Sequence, residues 1–296
     1  NNHWLSHFDV DRSCILDPIE HPLPFTPFKD FSGRPINEIN LYSSEMASAL
    51  CSIDRVSASA NMTNRLSEAI VEAYKETDGA PITFSKMLEE YQAKIADSSK
   101  DDTISSVLKQ LVRANIFEEE DKADLIGDCY IIKMDGYPKD GPIAKAIVYF
   151  LISKLNNIYE QLEKQATNDE VVQIRHFSII DEAHYMLDFD NRPLRNLIAV
   201  GRNKGLSIIL ATQNMSSFKS KGFDFYANAQ YPLIMKQQTI DDKVIKDLFG
   251  VSGNELQEIR TAIAGLQKGE LIIKDQMAFA LGMGKKYKKI NVTHLI

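Results

Sequence analysis

The stretch FSIIDEAHYMLDFD, Phe177 to Asp190, sets two acids, Asp181 and Glu182, directly behind the apolar residues Phe177, Ile179 and Ile180. Adjacent carboxylates at a strand end are equipped for phosphoryl transfer. The first can hold Mg2+ directly or through water, and the second can orient or deprotonate an attacking water. The same pair also fits a plainer role, the polar end of a buried strand. A second apolar run, LSIILATQ, ends in Gln213. Its amide either senses a γ-phosphate and fixes the water, or bonds loop backbone. Between the two runs lies GRNKG, where Arg202 is either a solvated helix-end cation favoured by the dipole or an arginine finger reaching a neighbouring subunit's nucleotide. His184 reads as a strand-exit side chain, because no second His or Cys lies near it in sequence.

The elements that must carry these residues follow from periodicity. CYIIKMD (Cys129 to Asp135) reads as a buried strand, and Pro142 suits the first turn of a helix whose apolar positions run from Ile143 to Leu162. A strand over 175–180, a helix opened by Pro193 and a strand over 206–212 come next. Strand, helix, strand, helix, strand yields a mainly parallel sheet flanked by helices, an α/β fold whose ligands bind beyond the carboxyl ends of the strands. Upstream, Cys14 to Leu16 is a short strand candidate followed by a Pro-rich connection. From Ile36 to Phe117 the pattern is helical, with stripes at Leu66, Ala69, Ile70, Ala73 and Tyr74, at Phe84, Met87, Leu88 and Tyr91, and at Ile104, Val107, Leu108 and Leu111. ADSSKDD (Ala96 to Asp102) reads as a loop inside this block. Downstream, Ser252 and Glu255 have capping-box spacing, and ELIIKDQMAFAL reads as a hairpin turning at Lys274 and Asp275. The expected division is 1–35 for the start of the core and the Pro-rich connection, 36–125 for the helical insertion, and 126–296 for the core.

Bulk properties narrow the class. The 296 residues are 44% hydrophobic with net charge -7, so no protein-wide positive field advertises nucleic acid and any DNA contact must be local. Cys14, Cys51 and Cys129 lack the spacing of a disulfide framework or zinc site, which fits a reducing cytoplasm. No apolar run approaches the roughly 18 residues of a membrane span.

Together, IIDEAH, a short helix and GRNKGLSIILATQ resemble the segment shared by the HerA/FtsK superfamily of P-loop, RecA-like DNA-translocating ATPases, which includes the VirB4- and TrwB-like conjugation motors. The likeness extends through ANAQYPLIMKQQTIDDKVIKDLFGVS and GLQKGELIIKD, and weakly to HPLPFTPF. The resemblance implies ATP and Mg2+ as cofactors, with Asp181 as the Walker B metal acid, Glu182 as the catalytic acid, Gln213 as the sensor glutamine and Arg202 as a trans-acting finger. It also implies a homo-oligomeric ring, a hexamer, moving on double-stranded DNA. Membership among the superfamily's DNA-phosphorothioation restriction and phage-defence systems, with a partner nuclease, is one expectation. DEAH is also the tetrad of superfamily 2 helicases, but those are expected to carry Ser-Ala-Thr on the next strand, where this chain has Ala-Thr-Gln.

One departure limits the likeness. A working member needs GxxxxGK[ST] to cradle the phosphates, and no such sequence occurs. GMGKKYKK (Gly282 to Lys289) has too few residues between its glycines, and Lys204 precedes a strand rather than a helix. The loop lies upstream of Asn1, or residues are missing, or the protein is a non-hydrolysing scaffold. The start at Asn1 rather than methionine and the Pro-rich opening favour the first two, and this polypeptide by itself is not expected to hydrolyse ATP efficiently. KSKGFDFYANAQ (Lys219 to Gln230) is either a pore loop for DNA phosphates or a loop packed by its own aromatics. GKKYKK is read as a soluble edge.

Overall fold

The helical pattern of the first half is realised as four helices, α1 (Ile36–Ile53), α2 (Ala60–Glu76), α3 (Phe84–Ala93) and α4 (Thr103–Ala114), in a computed structural model. The structure describes residues 14–53, 58–95, 101–168, 171–187, 189, 191–220, 223–282 and 284–292. Most of the ADSSKDD loop lies outside them. Contacts divide the chain into two units, Asn1–Ser178 with Asp188–Ile208, and Ile179–Leu187 with Ile209–Ile296.

In the first unit, local chemistry sets the helix starts. Ser59, Thr83 and Asp102 accept hydrogen bonds from Met62, Lys86 and Ser105 backbone N–H groups, satisfying donors a helix leaves open. The α2 and α4 stripes are buried as spaced, and α3 buries Met87 and Tyr91. The Pro-rich connection is packed rather than loose: Phe28 meets Phe84 and Phe150 at ring-centroid distances of 4.9 and 5.7 Å, and Phe25 meets Phe117 at 5.4 Å. Each such ring contributes about 1.5–3 kcal/mol by burial. Gly79 has φ +85, and a Cβ there would lie 2.7 Å from the Phe31 carbonyl oxygen, so only glycine fits this turn.

Strand β1 (Ile15–Leu16) pairs in parallel with β2 (Ile131–Ile132). The expected buried strand over 129–135 is therefore shorter, and both β2 residues are only half-buried. Its one described neighbour is the equally short β1, and beyond the pair Lys133 N–H still donates to the Leu16 oxygen at 2.8 Å. Helix α5 (Pro142–Gln161) starts at Pro142 as expected. A small hairpin follows, β3 (Thr167–Asn168) with β4 (Val171–Val172). Next come β5 (His176–Ile180), α6 (His184–Leu187), α7 (Arg192–Val200), a 3-10 turn (Gly201–Lys204) and β6 (Leu206–Leu210).

Strands β5 and β6 are ladder neighbours. Arg175 N–H donates to the Gly205 oxygen and Ala211 N–H to that of Ile180, so residue numbers climb together and the strands run parallel. Contrary to the expectation of a buried strand, Phe177 is 56% and Ile179 70% exposed. The alternation of β5 turns His176, Ser178 and Ile180 to the more covered side, and the apolar pair faces outward.

In the second unit, β7 (Lys219–Ser220) and β8 (Phe223–Asp224) form a hairpin before α8 (Phe225–Asn228). The core lies between α9 (Asp242–Phe249), α10 (Gly253–Ala264) and an antiparallel sheet in the order β11 (Tyr287–Asn291), β10 (Glu270–Lys274), β9 (Leu233–Met235). Ile234 and Ile272 from the sheet join Val244, Ile245, Phe249, Ile259 and Ile263 from the helices. The mixed α/β architecture agrees with the sequence reading, with parallel pairings that are small.

Two local expectations fail. ELIIKDQMAFAL is not a hairpin. Asp275 accepts from the Met277 and Ala278 N–H groups and starts helix α11 (Gln276–Leu281), so the return strand is β11. The helix-forming residues Met277, Ala278, Ala280 and Leu281 suit that outcome. Ser252 is the N-cap of α10 but makes no side-chain cap bond. Glu255 turns instead to Lys286, 3.4 Å away.

Candidate functional site

The end of β5 and the exit of β6 are tied together in the second unit. Ala211 N–H donates to the Ile180 oxygen at 2.9 Å, and Ala183 N–H donates to the Ala211 oxygen at 2.8 Å. Ala183 is fully buried. These bonds clamp the two residues between them, Asp181 and Glu182, into a tight exit turn. Glu182 has φ +50, a left-handed conformation that costs a side-chain-bearing residue about 1–2 kcal/mol and that clusters at functional sites.

The turn presents the acids differently. Asp181 is exposed, and its Oδ1 accepts the Glu182 N–H at 2.9 Å. Glu182 is half-buried and points back across the strand exits. Its Oε1 accepts a short hydrogen bond from the Gln213 amide nitrogen, and its Oε2 is shut from solvent with no hydrogen bond. His184 Nδ1 lies 3.3 Å from that oxygen and 3.3 Å from the Thr212 hydroxyl. An ionised carboxylate only accepts, so a donor from a ligand, a water or the imidazole would complete its bonding.

Of the residues singled out from sequence, Asp181, Glu182 and Gln213 are thus brought to one place. Arg202 belongs to the first unit, exposed in the 3-10 turn after α7. Its neighbour Lys204 is structural. The Lys204 Nζ donates to the carbonyls of Tyr159 and Glu160 in the last turn of α5, where a cation also complements the helix dipole. An open cavity of about 480 Å³ beside this turn is lined by Asn156, Glu160, Lys164, Asn196, Asn203 and Lys204. Neither Asp181 nor Glu182 lines it.

Sequence reasoning missed His184 and Thr212, which it treated as a strand-exit side chain and a strand residue. Their meeting depends on the β5–β6 pairing, because 28 positions separate them. Within KSKGFDFYANAQ, Phe225 and Tyr226 face Phe218, which precedes the segment, and the Tyr226 hydroxyl donates to the Met215 carbonyl. Residues 221–222 of the segment lie outside the described ones. The basic edge at Lys285 to Lys289 is ion-paired with Glu258, Glu255, Asp275 and Glu270.

Among the described residues no three His, Cys, Asp or Glu side chains cluster to hold a metal by themselves. The exposed Asp181 carboxylate suits the way Mg2+ is bound, through one or two carboxylates together with waters and phosphates. Among the described residues no helix is long and apolar enough to cross a membrane, and Cys14, Cys51 and Cys129 are free thiols.

No protein-family model and no curated protein matches the sequence. Solved structures do match in fold. VirB4 of Thermoanaerobacter pseudethanolicus is 18% identical with TM-score 0.64, over 95% of this chain and 76% of that one. The bacterial conjugative coupling protein TrwB is 12% identical with TM-score 0.57, over 95% and 74%. TrwB in complex with the ATP analogue ADPNP is 13% identical with TM-score 0.55, over 94% and 73%. The fold is therefore the RecA-like α/β fold of these solved structures.

Proposed function

We propose that this chain carries the metal-and-water half of an ATP site in a DNA-translocating motor of the HerA/FtsK type. The observation that carries the proposal is the convergence of Asp181, Glu182 and Gln213 at two neighbouring strand exits, with Glu182 held at φ +50 and bonded to Gln213. The fold shared with a conjugative coupling protein, and with that protein's complex with an ATP analogue, supports it.

Asp181 would hold Mg2+ directly or through water, because its carboxylate is the exposed one. A metal held there would supply neutralisation of phosphate charge. Glu182 would orient or deprotonate the attacking water, and Gln213 would hold the Glu182 carboxylate and report the γ-phosphate. Arg202 would serve a neighbouring subunit's nucleotide in a homohexameric ring around double-stranded DNA. The division at 1–35, 36–125 and 126–296 would make α1–α4 an insertion in the motor core. A cytoplasmic DNA-processing or phage-defence system with a partner nuclease is the proposed setting.

The 296 residues contain no GxxxxGK[ST], so we leave the phosphate-gripping half to another stretch of polypeptide. The same observation favours a second reading, a non-hydrolysing scaffold that keeps the fold. ATP turnover by the complete protein, with and without double-stranded DNA, separates the two. The motor predicts DNA-stimulated turnover that Asp181→Asn abolishes, whereas no turnover under either condition removes the motor and leaves the scaffold.

A further inference from the structure

The two oxygens of Glu182 are met from the two strand exits. Oε1 accepts from Gln213, while Oε2 is closed off from solvent, makes no hydrogen bond, and has the His184 Nδ1 3.3 Å away. Thr212, the residue immediately before Gln213, places its hydroxyl 3.3 Å from the same Nδ1. A carboxylate oxygen brings only lone pairs, so an unprotonated Nδ1 facing it would repel, and a protonated Nδ1 would attract both Oε2 and the Thr212 oxygen in a shared bond.

We propose that His184 is a positioning residue for Glu182: its Nδ1–H, steadied by Thr212, holds Oε2 while Gln213 holds Oε1. The proposal rests on Glu182 being the acid of an ATP-hydrolysing site. The side chain then has both oxygens fixed in a turn whose left-handed backbone also restricts it. Because Thr212 and Gln213 are adjacent, a displacement of this strand exit by ligand at Gln213 loosens both grips on the acid together. Thr212→Val or Thr212→Ala, which removes the hydroxyl, would weaken only the His184 side.

Two measurements on the complete protein test the proposal. The first reads the ring nitrogens of His184 by 15N NMR with the imidazole neutral. The expected result is a protonated, pyrrole-type Nδ1 in the wild type that is lost in the Glu182→Ala, Thr212→Val double variant; a pyridine-type Nδ1 in the wild type overturns the proposal. The second uses the shape of amides. The side-chain nitrogen of Asn reaches the place of Nδ1, whereas that of Gln reaches the place of Nε2. His184→Gln and His184→Ala are expected to lower kcat for ATP about tenfold with KM unchanged, since orientation of a catalytic group is lost and substrate binding is not. His184→Asn is expected to stay within about threefold of the wild type. Equal losses in the Asn and Gln variants overturn the positioning role. Wild-type protein without ATP turnover overturns the motor instead, and the nitrogen shifts then decide the His184 contact by themselves.

Discussion

Replacing Glu182 by Gly and by Ala separates the backbone of the exit turn from its chemistry. Both substitutions remove the carboxylate, so the loss of its contacts with Gln213 and His184 is common to the two variants and cancels in the comparison. What differs is the conformation at φ +50. Alanine retains the left-handed cost of about 1–2 kcal/mol, while glycine escapes it and gives back about 0.5–1 kcal/mol in unfolded-chain entropy. The Gly variant should therefore hold the turn about 0.5–1 kcal/mol more firmly than the Ala variant. The amide of Ala183 reports this locally, because it donates to the Ala211 oxygen at 2.8 Å directly after the strained residue. Its hydrogen-exchange protection factor should be about two- to fivefold larger with Gly than with Ala at position 182, if exchange follows the local opening free energy. Equal protection, or less in the Gly variant, would refute strain at this turn and with it the view that the site stores it.

Four further predictions concern the surrounding scaffold and the second half of the site. Gly205→Ala should destabilise the first unit by about 1–3 kcal/mol in urea unfolding, because Gly205 has φ +83 and a Cβ would lie 2.7 Å from the Gln173 oxygen; Lys204→Met should cost about 1–2 kcal/mol through the two α5 carbonyls it leaves. Burial holds the His176 imidazole below its ordinary value of 6.5, a backbone bond with Ile126 partly opposing. The stability at stake is therefore fully present above pH 6.5 and declines as the pH falls toward the lower folded value, because the unfolded chain binds the proton first; His176→Gln should flatten that acid limb in stability measured against pH. If Arg202 acts across subunits, Arg202→Ala should lower ATP turnover about 1,000-fold or more, and mixing it with Glu182→Gln subunits should restore part of the activity, which neither variant shows alone.

The sequence made the helical block legible because its caps and stripes are local: Asp102 and Ser105 bond each other across one turn, and Leu66 to Tyr74 share one face. It also made Asp181, Glu182 and Gln213 legible, since both strand exits are marked by polar residues after apolar runs. Exposure of Phe177 and Ile179 was not legible, because hydrophobicity states a preference for cover and not whether a neighbour supplies it. The false hairpin arose where alternation at 270–274 was carried past Asp275, whose carboxylate caps a helix instead. His184 was passed over for a related reason. Its partners Glu182 and Thr212 meet it only after two strands pair, and no local pattern encodes that meeting.

The central claim is that Glu182 handles the water of an ATP site, and Glu182→Gln in the complete protein tests it most directly. Glutamine keeps the shape and a partner for Gln213 but cannot take a proton. DNA-stimulated ATP turnover should fall by about 100- to 10,000-fold, with ATP binding retained. Turnover that survives unchanged contradicts the account.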